Sequence, residues 1–298
     1  MSKHGDTERY IIELFEDSKD FFFEGEKLKI VKIGKPRPKK GECKTDVYIL
    51  ALNKDNGEHR EIKISIKQND ADFLENKMSF ERAVEFFGPR AKEILTESIK
   101  TVTDSFLEDF LVYFSKHTRT EEKCIKIGWK FEFINKNGGK RSGKIELDRE
   151  QKINVYSGSN LNNEKKNSKV KGEEIINSGV ANYILEVENT TGDLSYYINN
   201  ILPIEEYAEN QEIHFACKAI NYRAQKNKWD GNRPLSVYID WRLEEGKIKA
   251  EFVMDKPLEM KANVIGLNIQ KILKELKINS DNFNDLKNYL DINIVVKK

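Results

Sequence analysis

The chain has 298 residues, of which 38% are hydrophobic and 34% charged, and its formal net charge is +1. This composition excludes general disorder and leaves room for one large domain or two smaller ones. Three scattered cysteines and four scattered histidines argue against a disulfide framework and a zinc site. No apolar run is long enough to span a membrane. We expect a reduced, cytoplasmic protein in which any nucleic-acid-binding surface is a local basic patch.

The first half of the chain predicts a helix, a strand, a hairpin and two further helices. Apolar residues at helical spacing predict the helices, and alternation of apolar with polar residues predicts the strands. Two prolines and a glycine between residues 35 and 44 predict a loop. The predicted elements are helix 7–23, strand 27–34, hairpin 44–68, and helices 70–88 and 90–117.

The second half is richer in strand-like segments. These lie at 124–148, 212–224, 234–255 and 292–296, and a late amphipathic helix is predicted at 263–278. The polar stretch 157–172 predicts an exposed loop. A shift in composition near residue 120 therefore divides the chain into regions 1–120 and 121–298.

The hairpin carries the most specific pattern. Asn56-Gly57 is a strong signal for a two-residue type I′ turn. A turn at those residues places Asp46 opposite Lys67 and Tyr48 opposite Ser65. The second strand alternates strictly, which separates an apolar face from a polar face. The apolar face carries Ile62, Ile64 and Ile66, and the polar face carries Glu61, Lys63, Ser65 and Lys67.

This segment resembles the core motif of the PD-(D/E)XK nuclease superfamily, the restriction-endonuclease-like fold. In that family an aspartate begins one strand, and an acid-x-Lys triplet lies beside it on the next strand. Glu61-Ile62-Lys63 has the expected residues. With the turn at Asn-Gly, however, Glu61 faces Leu52, about 20 Å from Asp46 at the usual rise of a strand. Ser65-Ile66-Lys67 has the expected position but lacks the acid.

Some members of the family have a Ser-x-Lys triplet and take the missing carboxylate from the helix that follows. In this sequence the corresponding residue is Glu81, with Glu75 and Glu85 as alternatives. The resemblance thus implies Asp46 and Glu81 as ligands of Mg²⁺ and Lys67 as the lysine of the site, with Ser65 in the place of the acid. Glu61 and Lys63 form the fallback assignment, which requires a turn nearer residues 53–54.

The chemistry of phosphodiester hydrolysis calls for these residue types. Carboxylates hold Mg²⁺, which stabilises developing negative charge and lowers the pKa of a bound water. A nearby lysine orients or deprotonates that water and neutralises the phosphate.

The resemblance implies an α/β (α+β) restriction-endonuclease-like core in residues 1–120, with a mixed central sheet flanked by helices. Residues 121–298 are then a β-rich α+β region for DNA recognition. The implied function is Mg²⁺-dependent cleavage of double-stranded DNA by a homodimer or homotetramer, as in type II restriction. Phage, homing and repair nucleases share the same core. The alternatives are a non-catalytic nucleic-acid-binding protein with a degenerate site and an unrelated α+β protein.

Two basic segments are candidates for contacts with nucleic acid, because cations that neutralise phosphates give salt-dependent affinity. Arginine also reads bases, and an exposed tryptophan stacks on them. The first segment, before Asp46, contributes Lys35, Arg37, Lys39, Lys40 and Lys44. The second, at 221–235, contributes Arg223, Lys226, Lys228, Trp229 and Arg233.

Overall fold

The computed structural model describes residues 3–68, 73–75, 78–188 and 191–298, which form a mixed α/β structure. The helices in the described residues are α1 (Lys3–Ser18), α2 (Phe80–Phe87), α3 (Ala91–Lys100), α4 (Thr103–Leu107), α5 (Arg149–Ser157), α6 (Asn163–Lys166), α7 (Leu194–Asn199), α8 (Ile204–Glu209) and α9 (Ala262–Glu275). In this part of the chain, none of them is both long and apolar enough to cross a lipid bilayer.

The strands fall into two groups. Those of the first half are β1 (Asp20–Phe23), β2 (Glu26–Gly34), β3 (Val47–Asn53), β4 (His59–Gln68), β5 (Phe73–Glu75), β6 (Val112–Tyr113), β7 (Cys124–Ile134) and β8 (Ser142–Lys144). Those of the second half are β9 (Ser168–Val170), β10 (Glu173–Ile175), β11 (Tyr183–Val187), β12 (Ile201–Pro203), β13 (His214–Arg223), β14 (Lys228–Trp229), β15 (Pro234–Leu235), β16 (Val237–Glu244), β17 (Lys247–Val253), β18 (Met260–Lys261) and β19 (Val296–Lys297).

The chain folds into two compact units, each built from separated segments. Unit 1 comprises Met1–Asp72, Glu85–Gly88 and Leu147–Gln211, and unit 2 comprises Phe73–Val84, Pro89–Glu146 and Glu212–Lys298. The sequence predicts a single boundary near residue 120, whereas in the structure the chain leaves unit 1, forms much of unit 2, and returns.

Unit 1 is organised around a six-stranded sheet in the order β1-β2-β3-β4-β11-β12. The sheet is mixed, because β3 is antiparallel to β4 while β11 runs parallel to β4. The parallel pair requires a long crossover connection, and the segment between β4 and β11 includes the first two of the three segments of unit 2. The mixed central sheet expected from the sequence is therefore present.

Helices cover both faces of this sheet. One face packs its apolar side chains against α1, whose Ile11 and Phe15 are buried with Ile64 of β4 and Leu185 of β11. On the other face, the Tyr207 hydroxyl of α8 donates a hydrogen bond of 2.5 Å to Glu186 of β11. Tyr207 also packs edge-to-face on Tyr156 of α5, with ring centroids 5.1 Å apart. The result is a layered helix–sheet–helix unit.

Unit 2 is organised around a larger sheet in which β7 is the central strand. The path β14-β13-β7-β16-β17 forms its body. In addition, β5 and β6 pair with β7, β8 pairs with β13, and β19 pairs with β6. Trp129 of β7 is fully buried and stacks on Phe252 of β17. The β-rich region predicted for the second half thus has a core of its own, but it also takes strands from the first half.

Four element predictions were wrong in part. The first helix ends at Ser18, and the apolar triplet that follows it forms β1. The helix predicted over 90–117 ends at Leu107 and gives way to β6. The stretch 157–172, predicted as a loop, contains α6 and β9. In the helix predicted over 70–88, α2 begins only at Phe80, Phe73–Glu75 are a strand, and residues 70–72 and 76–77 lie outside the described residues.

Ile64 is buried at 0% exposure in the layer between the sheet and α1. We expect Ile64→Ala to lower the free energy of unfolding by about 2–5 kcal/mol, because it removes apolar contacts and leaves a cavity. Val31→Ala on β2 is the control, since Val31 is 53% exposed. Urea titration of both variants measures the difference, and equal losses would contradict this core.

Candidate active site

The β3–β4 hairpin brings together the two strands of the predicted motif, but not in the predicted register. Val47 pairs with Ile64 and Tyr48 with Lys63, so the register places Asp46 next to Ser65. The prediction that Asp46 faces Lys67 was therefore wrong by two residues. The alternation itself is confirmed, because Ile62 and Ile64 are buried in the unit 1 core.

The register differs because the turn is longer than the two-residue turn that Asn56-Gly57 predicts. The Asn53 N–H donates to the Glu58 carbonyl, and the Gly57 N–H donates to the Asn53 carbonyl. The Asn53 side chain also accepts a hydrogen bond of 2.8 Å from the Asp55 N–H. Such side-chain-to-backbone bonds compete with regular pairing. Gly57 is still required for its φ of +76°, but it is the last residue of a four-residue loop.

Asp46 holds the open end of the hairpin. Its backbone N–H donates to the Ile64 carbonyl at 2.8 Å, and its Oδ2 accepts from the Ile66 N–H at 2.8 Å. The two contacts lie on either side of Ser65, which is itself 1% exposed. Asp46 is thereby fixed against β4, with Lys67 two residues beyond Ser65.

Burial raises the pKa of Asp46 from 3.8 to about 6, although the Ile66 N–H favours the charged form. The negative charge of Glu8 raises this pKa further, whereas the positive charges of Lys67 and Lys35 lower it. The charges that act on Asp46 thus belong to Glu8, Lys67 and Lys35. The two carboxylates and two ammonium groups form what we call the Asp46 cluster.

Each member of the Asp46 cluster is positioned by a different element. Glu8 lies on α1 and forms an ion pair with Lys35, which follows β2. The neighbouring Thr7 accepts a hydrogen bond of 3.3 Å from Gln68, which ties α1 to the end of β4. The cluster thus lies where β2 and β4 end, and ligands of α/β sheets bind at the carboxyl ends of strands.

The fallback pair, Glu61 and Lys63, lies farther along the hairpin. Glu61 pairs with Leu50, about 13 Å from Asp46 at the usual strand rise. Its carboxylate accepts a hydrogen bond of 2.5 Å from the Tyr48 hydroxyl and lies 3.3 Å from the Lys63 ammonium. The observed turn lies between the predicted turn at Asn56-Gly57 and the fallback turn nearer residues 53–54. It does not bring Glu61 to Asp46.

The other glutamates considered from the sequence have structural partners. Glu81 lies in unit 2, in the first turn of α2, where its own backbone N–H and Ser79 lower its pKa. Glu75, also in unit 2, forms an ion pair of 3.0 Å with Arg82. Glu85 lies in unit 1 and binds the Lys165 ammonium through both oxygens at 2.9 Å. The pairing of Glu81 with Asp46 stays a prediction.

The basic segment before Asp46 divides into two parts. Lys35, Arg37 and Lys39 line a cleft of about 800 Å³ in unit 1, and Lys40 is exposed beside them. Lys44, by contrast, is 9% exposed, and its ammonium lies 5.0 Å from the centroid of the Phe86 ring. The side chain of Lys44 therefore belongs to the packing of unit 1.

The second basic segment, in unit 2, is largely neutralised. Arg223 forms ion pairs of 2.5 Å with Asp230 and 2.6 Å with Glu121, and these carboxylates raise its pKa. Lys226 also lies 3.3 Å from Glu121. A Cβ added at Gly266 of α9 would collide with the Trp229 ring, so Trp229 packs on that helix. Lys228 is exposed and Arg233 is half-buried.

Four charged residues that line the cleft were not predicted from the sequence: Glu8, Arg9, Lys169 and Lys171. Glu8 carried no signal, because only the packing of α1 brings it to the end of the sheet. Lys169 and Lys171, in contrast, lie in a segment whose Lys-Gly pair is a signal for a hairpin turn. Val170 is buried between them, and Lys171-Gly172 has positive φ at both positions, which is the turn of a tight hairpin.

Within the described ranges, no three His, Cys, Asp or Glu side chains converge in a way that could hold a metal ion. The Asp46 cluster offers two carboxylates instead. Comparison with protein families, with curated proteins and with solved structures finds no match to this chain. Its function must therefore be inferred from its residues and their geometry.

The raised pKa of Asp46 makes stability depend on pH. Between 3.8 and about 6 the folded state binds more protons than the unfolded state. The stability that protonated Asp46 contributes is therefore present below pH 3.8 and is lost as the pH rises through 6. Asparagine does not ionise, and its Oδ1 can still accept from the Ile66 N–H.

We therefore expect Asp46→Asn, in EDTA, to be more stable than the wild type at pH 8, by up to about 3 kcal/mol, and nearly equal to it at pH 4. Urea titrations at both pH values measure this difference. Asp17→Asn, on the exposed side of α1, is the control. A gain of equal size at the two pH values would contradict the assigned ionisation.

Proposed function

We propose that unit 1 hydrolyses phosphodiester bonds in double-stranded DNA with the help of Mg²⁺. One arrangement carries the proposal: the Asp46 carboxylate is bonded to β4 beside Lys67 at the end of a mixed sheet, and Glu8 pairs with Lys35 in the lining of a basic cleft. Carboxylates beside a lysine suit metal-assisted attack on a phosphate, and the adjoining cations suit the polyanionic substrate.

The donor set fits Mg²⁺, a hard cation that proteins commonly bind through one or two carboxylates while water and phosphate oxygens complete the shell. Asp46 and Glu8 would supply the protein ligands. When bound, Mg²⁺ supplies positive charge that stabilises the pentavalent phosphate and lowers the pKa of a water. The two carboxylates repel each other in its absence, as the effect of Glu8 on the pKa of Asp46 indicates.

Lys67 has the role of orienting water and neutralising charge. It follows Ser65 on the same face of β4, and it lowers the pKa of Asp46 through its positive charge. An ammonium in that place can hold the attacking water by a hydrogen bond and balance charge on the non-bridging phosphate oxygens. Lys35, which lines the cleft, would also balance charge on the non-bridging phosphate oxygens.

The order of elements further supports membership of the restriction-endonuclease-like fold. A helix, a strand, the Asp46 strand and the Lys67 strand follow one another as in the family's common core, and helices cover both faces of the mixed sheet. We extend the proposal to a sequence-specific restriction endonuclease. A symmetric target would then be cut by a homodimer or homotetramer, because two strands need two active sites.

A second candidate function is favoured by a separate observation. Ser65 occupies the place of the motif's acid and is 1% exposed, so it offers neither a carboxylate nor an accessible hydroxyl. A protein that keeps the fold and the basic cleft but lacks a complete metal site would bind nucleic acid without cutting it. Cleavage assays separate this function from the first.

We expect the wild type to cut a mixture of plasmid and phage DNA with Mg²⁺ and to be inactive in EDTA. Asp46→Ala and Lys67→Ala should each reduce the rate at least about 100-fold, because each removes a group that contacts the reacting atoms. Lys29→Ala is the matched control, since Lys29 is exposed on β2 far from the cluster. DNA binding without cleavage by the wild type would support the second candidate instead.

The choice of the second carboxylate can be tested separately. We expect Glu8→Gln to reduce cleavage at least about 10-fold and to raise the Mg²⁺ concentration required, because it removes a metal ligand. Glu81→Gln should change neither if Glu81 acts only at the start of α2. The reverse result would establish the assignment made from the sequence, and loss of activity only in Glu61→Gln would establish the fallback pair.

A further inference from the structure

Half of the described residues that line the cleft beside the Asp46 cluster are basic. These basic residues come from α1, from the segment after β2 and from the β9–β10 hairpin, and among the described lining residues Glu8 alone is acidic. The six basic residues are Arg9, Lys35, Arg37, Lys39, Lys169 and Lys171. Such a concentration of positive charge is the electrostatic signature of a site for a polyanion.

The β9–β10 hairpin forms one side of this cleft and is held in place by its turn, by packing and by an ion pair. Its two-residue turn, Lys171-Gly172, has φ values of +48° and +90°, which match the type I′ turn that suits a strand pair. Val170 is fully buried, and a Cβ added to Gly34 at the end of β2 would lie 3.3 Å from it. On the outer strand, Glu173 forms an ion pair with Lys32.

Two cations face each other directly across the junction of the hairpin with the basic segment. Arg37 and Lys169 form an antiparallel bridge, with the Arg37 N–H donating to Lys169 at 2.9 Å and the Lys169 N–H donating to Arg37 at 3.0 Å. Both side chains are exposed, and in the described part of the chain neither forms an ion pair with a carboxylate. Like charges directly opposite each other are destabilising.

Other cations of the cleft do form ion pairs with carboxylates. Lys171 lies 2.7 Å from Glu16, Lys39 lies 3.5 Å from Glu174, and Lys35 pairs with Glu8. Carboxylates of unit 1 thus offset these positive charges. The Arg37–Lys169 pair is therefore the place where an external anion is worth most.

We propose that Arg37 and Lys169 together hold one phosphate of the backbone of double-stranded DNA, with the β9–β10 hairpin as one wall of the groove that leads it to the Asp46 cluster. The proposal rests on the proposed function for the identity of the polyanion. It extends the contact surface to a hairpin that the sequence predicts as an exposed loop. Its contacts are to the backbone, so they strengthen binding without selecting a sequence.

The test is binding of a short fluorescent DNA duplex in EDTA, followed by anisotropy over a series of salt concentrations. We expect Arg37→Ala and Lys169→Ala each to weaken binding about 5-fold and to make the salt dependence shallower by up to one phosphate contact. Because both side chains share one phosphate, the double variant should lose less than the product of the two single losses. Lys29→Ala, with the same change of charge at an exposed site on β2, should bind as the wild type does.

Lys169→Glu separates a binding role from a structural one. It places opposite charges at the bridge, so the melting temperature should be unchanged or higher, while DNA binding should fall more than that of Lys169→Ala. Wild-type affinity in Lys169→Ala and Lys169→Glu would overturn the proposal even if Mg²⁺-dependent cleavage were observed. Tighter binding of an RNA duplex than of DNA would overturn the choice of DNA. If the wild type binds DNA without cutting it, and the Arg37 and Lys169 variants bind more weakly, the result would support the groove and reject catalysis.

Discussion

The hydrogen bond between the Asp46 carboxylate and the Ile66 N–H is the contact on which the candidate site depends. It closes the open end of the β3–β4 hairpin with a side chain where regular pairing would use a backbone carbonyl. The same bond turns the carboxylate toward the end of β4 and holds it in a partly buried place. In the proposed function, one oxygen of this aspartate would bind Mg²⁺ while the other keeps its bond to β4. The position of the Asp46 carboxylate and its burial, which raises its pKa, are therefore linked.

That arrangement also explains the electrostatics of the surrounding cluster. Burial alone would leave Asp46 protonated well above its ordinary pKa, and the charge of Glu8 acts in the same direction. Lys67 and Lys35 oppose both effects. Such balanced like and unlike charges are common at functional sites, because a divalent cation can replace the proton as the partner of the carboxylates. The proposed Mg²⁺ would therefore relieve the repulsion between the two carboxylates.

The sequence predicted the elements of unit 1 better than their register. Alternation of Ile62 and Ile64 with Glu61 and Lys63 is a local property, and β4 follows it. The hairpin register depended on a competition between Asn56-Gly57 and the side chain of Asn53, which bonds the Asp55 N–H. Since both signals are short-range, the sequence alone does not decide between them. A shift of two residues preserves the faces of the strand, which is why the polar face was still predicted.

Residues of the site that come from distant segments could not be predicted from the sequence, for a different reason. Glu8 reaches the cluster through the packing of Ile11 and Phe15 of α1 on the sheet. The chain likewise leaves unit 1 after β4 and, apart from Glu85–Gly88, returns to it at Leu147. The β9–β10 hairpin is therefore about a hundred residues from the end of β4 in sequence. Contacts of this kind depend on tertiary packing, not on periodicity.

The distribution of charge favours the same location for an anionic ligand as the geometry does. A chain with a net charge of +1 has no general attraction to nucleic acid, so its affinity has to come from a local concentration of cations. In unit 2, Arg223 is held between Asp230 and Glu121, whereas Arg37 and Lys169 in unit 1 lie opposite each other. Placing two like charges in register lowers stability, and functional sites commonly carry such costs. An anionic ligand relieves this repulsion on binding, so the same feature that weakens the free protein strengthens the complex.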